Sequence, residues 1–569
     1  MRIPSRPHAF VLLACLTLAC AQTGARAPDI APSDADPSGG VQSFDPSEVS
    51  DVGSESISVG ATVAPHQDRI VFLDSAALEG REPESTVSTL RALGASTLYL
   101  VGVSMTEQGS QDPAGLRPEL GGEAGLFRWV QTAREGGLDV LIDLELNHVD
   151  ERSSLVRERP DWFHGLGPIR DYDDPGQIVF HDIEGTRDFA QELPEVSAFL
   201  IGAASSFIDR APISGLGFQS ARHVPTPFWA ELVWAVQDAA DVRIRTLATW
   251  LSGNPRMLAR VLSEVGFSEV LDVPSHFALY ETVCDRARPE RLASVLYADR
   301  RYDDPTRLVT WLDHPSIPSA EERCGGDEGA ILSALALQHG LRGRPSITER
   351  LARCESKDAE CSARRSKHLR TLFELRAKHP VLFAGDSRLI AVGRAGLLLL
   401  RVGREEVATV AYNASSDEAL VVPVPMGIAS STLLESYGME VEGRRLSVPP
   451  GGTGIAVFRN PGTGALEWSV PTSKTIEISM TEVPTAAESV VLVGDHEIFG
   501  DWDIEKGLEL RRDADGWKAQ FDLPRGAAAE LRAVAWVNGE ELMEEHPRFI
   551  FVAHQRGSEA LSWQWGVGP

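Results

Sequence analysis

Positive charge is scarce in this sequence. Its 569 residues include 54 Lys and Arg against 82 Asp and Glu, which leaves a formal net charge of −28. Nucleic acids and anionic membranes are bound through clustered cations that neutralise phosphates, so this balance argues against both as partners. A neutral ligand is compatible with it, and a strong net charge by itself also keeps an exported chain in solution.

Long apolar runs are equally scarce. The N-terminal run Ala9–Ala19 follows Arg2 and Arg6; it is too short to span a bilayer comfortably, but it suits the apolar region of a signal peptide. No other apolar run of the sequence approaches the length of a membrane span. The sequence therefore predicts an exported protein.

Cys20 ends the candidate signal. It follows Thr17-Leu18-Ala19, a segment that resembles the end of a bacterial lipoprotein signal. We therefore predict a lipoprotein-type signal peptide at residues 1–20, lipidation of Cys20, and a cell-envelope protein, periplasmic or at the cell surface, that contacts the membrane through its lipid anchor alone. Ordinary cleavage near this point, which would give a secreted protein, and lipidation of Cys15 are the alternatives.

Cysteine is rare, with six residues in all, and two of them fall in the signal segment. The other four are Cys284, Cys324, Cys354 and Cys361. Neither a Cys-x-x-Cys pair nor a histidine cluster accompanies them, which argues against a zinc site. An even number of cysteines in an exported chain favours disulfides. Pairing Cys354 with Cys361 closes a short loop and leaves Cys284 for Cys324.

Aromatic residues are nearly absent from residues 21–64, which are rich in Asp, Ser, Pro, Gly and Ala. Such a segment cannot bury enough apolar surface to offset the entropy of folding, so it predicts a disordered linker that acts as a tether. Residues 461–473 predict a second, shorter linker.

The rest of the chain is apolar enough to form cores, since hydrophobic residues make up 43% of the sequence. From residue 65 to residue 384, apolar strands alternate with amphipathic helices, which predicts a parallel α/β arrangement and, in closed form, a TIM (β/α)₈ barrel. Strands are predicted at 96–103, 138–146, 215–218, 242–248 and 308–312, and helices at 85–93, 125–137, 199–208, 228–239, 330–339 and 369–378.

Beyond residue 384 the helical period is lost. Residues 385–460 give short alternating strands, including 397–402 and 406–412, which predicts a small antiparallel β-domain of the sandwich type. Residues 474–569 again alternate strands and turns and predict a C-terminal β-sandwich. The predicted fold class is therefore α/β with additional all-β modules.

The segment Gly215–Pro225 resembles the nucleophile segment of the α-amylase-like glycoside hydrolases of family 13, which has the form G-F-R-x-D-A-x-K-H-V-P. Its flanks match, with Arg222 in place of the family's Lys. The family's Arg, however, falls on Gly217, and its nucleophilic Asp falls on Gln219. The resemblance implies an amylase-type barrel that lacks the attacking carboxylate at this position.

Two further segments resemble the metal-binding and sugar-contacting parts of the same family. Asp143–His148 resembles its D-x-x-x-N-H segment, and Gly185–Val196 resembles its L-P-D-L-N-x-x-N-P-x-V segment. The resemblance implies a structural calcium held by Asn147, Asp188 and the backbone carbonyl of His223, and sugar contacts from His148 and His223. The alternative for the metal is a hydrogen-bonded remnant of its site.

Catalysis in this family needs carboxylic acids. A retaining glycosidase uses two carboxyl groups about 5–5.5 Å apart, one to attack the sugar and one to protonate the leaving oxygen. The resemblance places the general acid on Thr249 and the third family carboxylate on Ser316, so together with Gln219 all three positions are degenerate and no catalytic residue is assigned. The candidate substitutes are Glu145 and Asp313, with Glu281 as a further carboxylate expected near a strand end.

The C-terminal module carries a different motif. Val491–Asp503 resembles the V-x-L-V-G-x-x-x-x-L-G-x-W segment of the family 20 starch-binding module, whose likeness extends over about residues 474–565. Such modules stack flat aromatic rings on sugar faces. The resemblance implies that Trp502 stacks and that Arg532 replaces a sugar-contacting Lys; Trp536 is the candidate second platform, because the family's second Trp falls near Met543. The alternative is a sandwich that kept its fold and lost its ligand.

These resemblances favour a non-catalytic protein that binds α-glucans such as starch, glycogen or maltooligosaccharides. An active glycoside hydrolase or transglycosylase with relocated carboxylates is the first alternative. The second is an envelope protein whose barrel binds a protein partner, as amylase-like subunits of some transporters do.

Overall fold

The computed structural model of the protein describes residues 64–105, 112–172, 174–240, 242–354, 358–462, 473–514, 516–545, 547–552 and 558–566. The predicted signal peptide with Cys20, nearly all of the predicted tether (21–64) and most of the predicted linker (461–473) lie outside these residues. None of the helices in the described ranges is long and apolar enough to cross a membrane.

Eight parallel strands close into a barrel in which each strand pairs with the next and the last pairs with the first. The strands, labelled β1 to β8, are Ile70–Asp74, Thr97–Val101, Asp139–Leu144, Gly215–Phe218, Arg245–Ala248, Glu269–Leu271, Leu308–Trp311 and Arg344–Thr348. Their side chains are almost all buried, as expected for parallel strands with helices outside and packed side chains inside. The predicted barrel is thus confirmed.

Helices surround the barrel. The longer ones are Pro83–Leu93, Gly122–Glu135, Pro194–Arg210, Thr226–Asp238, Val273–Val283, Pro289–Tyr297, Glu328–Gly340 and Ala359–Lys378; shorter ones are Ser154–Glu158, Pro175–Phe180, Pro255–Arg260, Ala320–Arg323, Glu349–Arg353 and Val381–Ala384. Pro83–Leu93 illustrates how they form, because Pro83 sits at the first helical position and Gly94, with φ of 98°, ends the helix. Its buried Val87 and Leu90 face the core, and each contributes about 1.5–3 kcal/mol by leaving water.

A long excursion, residues 145–193, leaves the carboxyl end of β3 before the next long helix begins. It contains two short strands, His148–Asp150 and Thr186–Asp188, which pair antiparallel. Ligand sites of such barrels lie at the carboxyl ends of the strands, so this excursion is placed to cover the mouth of the barrel.

The β-domain follows the barrel. Its strands are Asp386–Gly393, Gly396–Val402, Glu406–Asn413, Leu420–Pro423, Leu433–Tyr437, Glu440–Glu442, Arg445–Val448 and Thr453–Arg459, in sheets of five and three strands. Alternation of side chains along a strand gives the larger sheet two buried faces. Leu397 and Leu399 pack into the barrel core, whereas Leu398 and Leu400 pack into the core of the β-domain itself.

The C-terminal sandwich has two antiparallel-rich sheets around its own core. Its strands are Ser473–Thr481, Ala487–Gly494, Leu508–Glu509, Arg511–Asp513, Gly516–Pro524, Ala528–Val537, Glu540–Met543, Arg548–Phe551 and Glu559–Gln564. Ion pairs attach it to the barrel, including Arg291 to Glu530 at 2.6 Å. Both predicted all-β modules are therefore present.

Several predicted element bounds differ from the observed ones. The predicted strand 242–248 begins only at Arg245, since the Gln237 side chain bonds the backbone of Ile244 and holds a turn there. The predicted strand 138–146 ends at Leu144, so Glu145 lies in the excursion. The predicted helix 369–378 begins at Ala359, and β1, β6 and β8 were not predicted as strands.

Two disulfides link the four cysteines of the described chain in the predicted pairing. Cys284 pairs with Cys324, and Cys354 pairs with Cys361. The first joins the helix Val273–Val283 to the segment before Glu328, and the second joins two segments that follow β8.

Candidate active site and glucan-binding face

The polar centre of the barrel lies at the carboxyl ends of β3 and β4, where two side chains donate hydrogen bonds to Asp143. The Tyr99 hydroxyl donates to its Oδ1 over 2.9 Å, and Nε2 of Gln219 donates to its Oδ2 over 2.8 Å. Burial raises the pKa of Asp143 to about 7; the bonds from Gln219 and Tyr99 oppose that rise, and the charge of Glu145 adds to it. The carboxyl is only 1% exposed, and this burial is the main reason for its pKa near neutrality.

Gly217, on β4, lies against the Tyr99 ring of β2. A Cβ atom at Gly217 would be 1.7 Å from Oη and 2.4 Å from Cζ of Tyr99. The Tyr99 ring is fully buried and fills the space into which any side chain at position 217 would extend. The sequence analysis missed Tyr99; the available signal was a glycine inside a strand, which marks a close approach.

The three positions that the resemblance predicts to be degenerate follow β4, β5 and β7. Gln219 bonds Asp143, and within the described chain its Oε1 has no hydrogen-bond partner. Thr249 is 1% exposed, and its hydroxyl likewise lacks a partner among the described residues. The amide of Ser316 donates to Nδ1 of His314 over 3.3 Å, and burial lowers the pKa of that imidazole to about 3. No carboxyl group stands at any of the three positions.

Glu145 accepts two hydrogen bonds from its own surroundings. Its Oε1 accepts from the backbone amide of Asn147 over 2.8 Å, and its Oε2 accepts from the hydroxyl of Ser220 over 2.7 Å. The side chain is buried. Glu145 therefore serves here as an acceptor that ties the excursion to the loop after β4.

Asp313, the other candidate substitute, is completely buried after β7. The Arg350 guanidinium donates to both of its oxygens, from Nε over 2.9 Å to Oδ2, and the Thr348 hydroxyl also donates to Oδ2. Burial raises the pKa of Asp313, and Arg350 and Thr348 oppose that rise. Glu281 does not lie at the mouth, because its carboxylate faces Arg291 at 3.7 Å beside the C-terminal sandwich.

Apolar side chains fill much of the mouth of the barrel. Leu251, Phe277 and Ile317 pack with Trp311 in the cluster that fills the barrel interior. Tyr172, from the excursion, packs against the same cluster. The mouth is thus largely closed by side chains of the protein itself.

The residues predicted to bind calcium lie together under the excursion. Nδ2 of Asn147 donates to the backbone oxygen of His223 over 3.0 Å and also to Oδ1 of Asp188. Nδ1 of His164 lies 2.6 Å from Oδ2 of Asp188, and its Nε2 lies 3.0 Å from the Glu192 carboxylate. Burial raises the pKa of Asp188 to about 8, although the hydrogen bond and charge of His164 oppose that rise.

This donor set does not fit calcium as it is arranged. The ion takes about six to eight oxygen ligands, whereas N–H groups here face the oxygens of Asp188 and His223. The described residues also contain no group of three or more His, Cys, Asp or Glu side chains placed to hold a metal. These contacts favour the alternative for this site, a hydrogen-bonded remnant of the metal site.

The two histidines predicted to contact sugar are buried. Nδ1 of His148 lies 2.9 Å from Oδ1 of Asn147, and Nδ1 of His223 lies 3.0 Å from the backbone oxygen of Ile178. Burial, with a smaller effect from the charge of Arg222, lowers the pKa of His223 to about 3. In this arrangement both rings bond the protein rather than face an open cleft.

The three predicted sugar-binding residues of the C-terminal sandwich share one surface. Trp502 and Trp536 pack with Met543 over buried valines of the sheet, and both indoles stay partly exposed. Nη1 of Arg532 lies 4.0 Å from Sδ of Met543. We call Trp502, Arg532, Trp536 and Met543 the aromatic face. Partly exposed rings beside a guanidinium can stack on a sugar and bond its hydroxyls.

Trp502 is held in place by its neighbour Asp501. Gly500, Asp501 and Trp502 have φ angles of 73°, 53° and 70°, in the left-handed region that strains residues other than glycine. The Asp501 carboxylate contacts Arg301 and, over 3.1 Å, Arg256, which both belong to the barrel. These ion pairs fix the turn that presents Trp502.

A (β/α)₈ barrel with a polar site at the carboxyl ends of its strands, followed by antiparallel modules, is the architecture of α-amylase-type glycoside hydrolases. Comparisons with known proteins agree. The chain is 22% identical over 400 residues to a cyclomaltodextrinase from Geobacillus thermopakistaniensis (strain MAS1). The aligned region covers 64% of this chain and 67% of that protein. No protein-family model matches the chain.

Solved structures give the same result. The α-amylase from Geobacillus thermoleovorans, complexed with acarbose, superposes with a TM-score of 0.62 at 20% identity over 70% of this chain and all (100%) of that one. The gamma-CGTase from an alkalophilic Bacillus clarkii superposes with a TM-score of 0.58 at 12% identity over 88% of this chain and 99% of that one. Likeness at these identities establishes the α-amylase-type fold.

Proposed function

We propose that this protein belongs to glycoside hydrolase family 13, the α-amylase family, and binds α-glucans without hydrolysing them. The family assignment is supported by the fold together with the segments around Asp143, Gly215 and Val491 that resemble family motifs. The ligand class is carried over from the compared proteins, which include an α-amylase solved with acarbose and a cyclomaltodextrinase.

The main support for the proposal is that no carboxyl group stands at the three positions of the barrel mouth where the resemblance predicts the catalytic residues. The sequence resemblance places Gln219, Thr249 and Ser316 where the family has carboxylates. Glycoside hydrolysis needs a nucleophile and an acid on opposite sides of the scissile bond, and neither Gln nor Thr nor Ser replaces them.

The candidate substitutes do not restore that pair. Glu145 and Asp313 are both buried acceptors of hydrogen bonds from the protein. The alternative of an active enzyme with relocated carboxylates therefore has no observation in its favour beyond the presence of these groups.

The aromatic face supports retained binding. Trp502 and Trp536 offer two partly exposed rings on one surface, and Arg532 adds hydrogen-bond donors beside them. Neutral sugars need no charged partner, so the net charge of −28 does not oppose them. A family 20 starch-binding module is the proposed identity of this sandwich.

Calorimetric titration of the full chain with maltoheptaose tests the binding. We expect saturable binding that weakens roughly threefold to tenfold in Trp502→Ala, because a stacked ring contributes about 0.5–1.5 kcal/mol beyond the area that it buries, and 1.4 kcal/mol is a factor of ten. Trp234→Ala is the control, since Trp234 is 69% exposed on the helix Thr226–Asp238 outside the barrel. Absence of affinity in the wild type, or equal affinity in Trp502→Ala, would contradict the proposal; stable capture of a protein partner without glucan affinity would favour the transporter-subunit alternative.

We further propose that the protein acts at the cell envelope as a lipoprotein. This rests on the apolar run Ala9–Ala19 and on Cys20, with the acidic, aromatic-poor segment 21–64 as a spacer. The expected result of Cys20→Ala is a shift of the protein from the membrane fraction to the soluble fraction. An unchanged distribution would refute lipidation at this residue.

A further inference from the structure

A short segment of the C-terminal sandwich, residues 495–502, lies against the barrel and ends at Trp502. Nη2 of Arg301, a barrel residue, donates to the backbone oxygen of Asp495 over 3.0 Å and also contacts the Asp501 carboxylate. A single guanidinium thus contacts both ends of the segment. Because Asp501 and Trp502 adopt the left-handed φ angles described above, their turn depends on such outside contacts. A change at the Asp495 end can therefore reach the indole of Trp502.

Two carboxyl groups of the sandwich meet at the start of this segment. Oδ1 of Asp495 accepts from the backbone amide of Glu530 over 2.8 Å, and Oε2 of Glu530 accepts from Nη1 of Arg291, on the barrel, over 2.6 Å. Glu530 is buried, and within the described chain its Oε1 has no hydrogen-bond partner. Arg291 also faces the Glu281 carboxylate, which lies 3.7 Å from its Nε. The arginine that balances Glu530 is thus shared with a second acid, and Asp495 adds a third acid to the same contact.

The Asp495 carboxyl titrates close to neutrality. Burial is the largest cause, followed by the charge of Glu530, and together they raise its pKa to about 7. The hydrogen bond from the Glu530 amide and the charges of Arg291 and Arg300 oppose that rise. The ordinary pKa of an aspartate is 3.8. The closed contact therefore favours the protonated form of Asp495 up to about pH 7.

The ionisable groups around Asp495 come from both domains. The barrel contributes Glu281, Arg291, Tyr297, Arg300 and Arg301. The sandwich contributes His496, Glu497, Asp501 and Glu530. Burial lowers the pKa of His496 to about 4 and raises the pKa of Tyr297 above its usual value, so neither ring changes its charge near pH 7. Burial also raises the pKa of Glu281, and a substitution of Asp495 itself is therefore needed to separate the two acids.

Linkage gives the direction of the effect. Opening the contact would hydrate Asp495 and return its pKa toward 3.8, so the closed form binds the proton more tightly than the open form. The contact is then most stable below about pH 4, weakens as the pH rises, and is weakest above about pH 7. We propose that residues 495–502 and the barrel form a pH-dependent contact, which holds Trp502 in place for α-glucan when Asp495 is protonated and releases it when Asp495 is ionised. The inference rests on the proposed function, in which Trp502 binds α-glucan.

Calorimetric titration of the full chain with maltoheptaose, repeated from about pH 5 to pH 8.5, tests the inference. We expect the affinity to fall about threefold to tenfold and to level off above about pH 7, because releasing Trp502 cannot cost more than its ring contributes. In Asp495→Asn the side chain stays neutral and can still accept from the Glu530 amide, so the affinity should keep its low-pH value throughout. The matched control is Asp503→Asn, next to the same segment, whose carboxylate pairs with the exposed Lys506; it should keep the wild-type profile.

Two further variants separate this mechanism from a general loss of structure, and they repeat the test if Asp495→Asn lowers the melting temperature. Glu530→Gln removes a charge that raises the pKa of Asp495, so its affinity should level off at a lower pH than that of the wild type. Trp502→Ala should bind with the same affinity at every pH, because the contact acts through this ring. Saturable binding by the wild type without pH dependence, or a wild-type profile in both Asp495→Asn and Glu530→Gln, would overturn this inference and leave the proposed function standing. No binding of maltoheptaose at any pH would overturn both.

Discussion

Substituting Gly217 by alanine tests whether the barrel mouth is filled as described. The added Cβ would lie 1.7 Å from the Oη of Tyr99 and 2.6 Å from its Cε2, far inside van der Waals contact. Tyr99 is fully buried, so its ring can leave only by displacing neighbouring core side chains. Gly217 does not adopt a left-handed φ, so the cost comes from the clash and not from the backbone.

The magnitude follows from two terms. Overpacking a well-filled interior costs about 1–3 kcal/mol. Moving the ring also breaks the 2.9 Å bond from Tyr99 to Asp143 and leaves Oδ1 of this buried carboxyl without its Tyr99 donor, which costs about 1–3 kcal/mol more. We therefore expect Gly217→Ala to destabilise the barrel by about 2–6 kcal/mol, a large part of the 5–15 kcal/mol (roughly) that stabilises a typical folded protein.

Urea denaturation of the full chain, followed through the transition of the barrel, measures this loss. Gly202→Ala is the control: Gly202 is helical, a Cβ there meets nothing within 4 Å, and the change should stabilise slightly. Removing the clashing ring atoms with Tyr99→Leu should make the cost of Gly217→Ala in that background smaller than in the wild type. A cost below about 0.5 kcal/mol in the wild-type background, close to a neutral surface change, would refute the filled mouth.

Three further predictions follow from named contacts. The pKa of Asp143 is raised from 3.8 to about 7, so the unfolded chain loses this proton first, and this carboxyl lowers the stability by about 4 kcal/mol between about pH 4 and pH 7. Asp143→Asn should remove this part of the pH dependence in denaturation curves, leaving the parts due to Asp188 and Asp495, and should be more stable than the wild type above pH 7; an unchanged slope would contradict the assignment. Because donors face the oxygens of Asp188 and His223, calcium or EDTA should leave the melting temperature unchanged; a rise of several degrees with calcium, lost in Asp188→Asn, would show a working metal site. Asp501→Asn should weaken glucan binding about threefold to tenfold, because it loosens the turn that presents Trp502. The control Asp503→Asn should leave the affinity unchanged, because Asp503 pairs with the exposed Lys506. Equal affinities of the two variants would contradict the role of Asp501.

The barrel was predictable because its strands and helices alternate with clear periods. The strands that escaped prediction have specific reasons to be weak signals. β6 has three residues, and β8 contains Pro345, which lacks a backbone donor and argues against a central strand. β1 is a short apolar run that closely follows the acidic, aromatic-poor tether, so no predicted helix precedes it, and the alternation of helix and strand that indicated the other strands was lacking.

The candidate site was predictable only where a motif runs along the chain. Gln219 and Trp502 were found because their neighbours in sequence match family patterns. Tyr99 and Asp143, or Arg350 and Asp313, meet through tertiary packing across 44 and 37 positions of sequence, and no local pattern encodes such a meeting. The burial of His148 and His223 was missed for the same reason, since it depends on how the excursion folds over the mouth.

The most direct test of binding without turnover is the fate of the bound ligand. The full chain is saturated with maltoheptaose, incubated for long enough to reveal slow turnover, and the sugar is then recovered and its chain length measured by mass spectrometry. The account predicts maltoheptaose of unchanged length, together with the saturable binding described above. Shorter or longer maltooligosaccharides, whose formation disappears in Glu145→Gln or Asp313→Asn, would contradict it and identify an active enzyme.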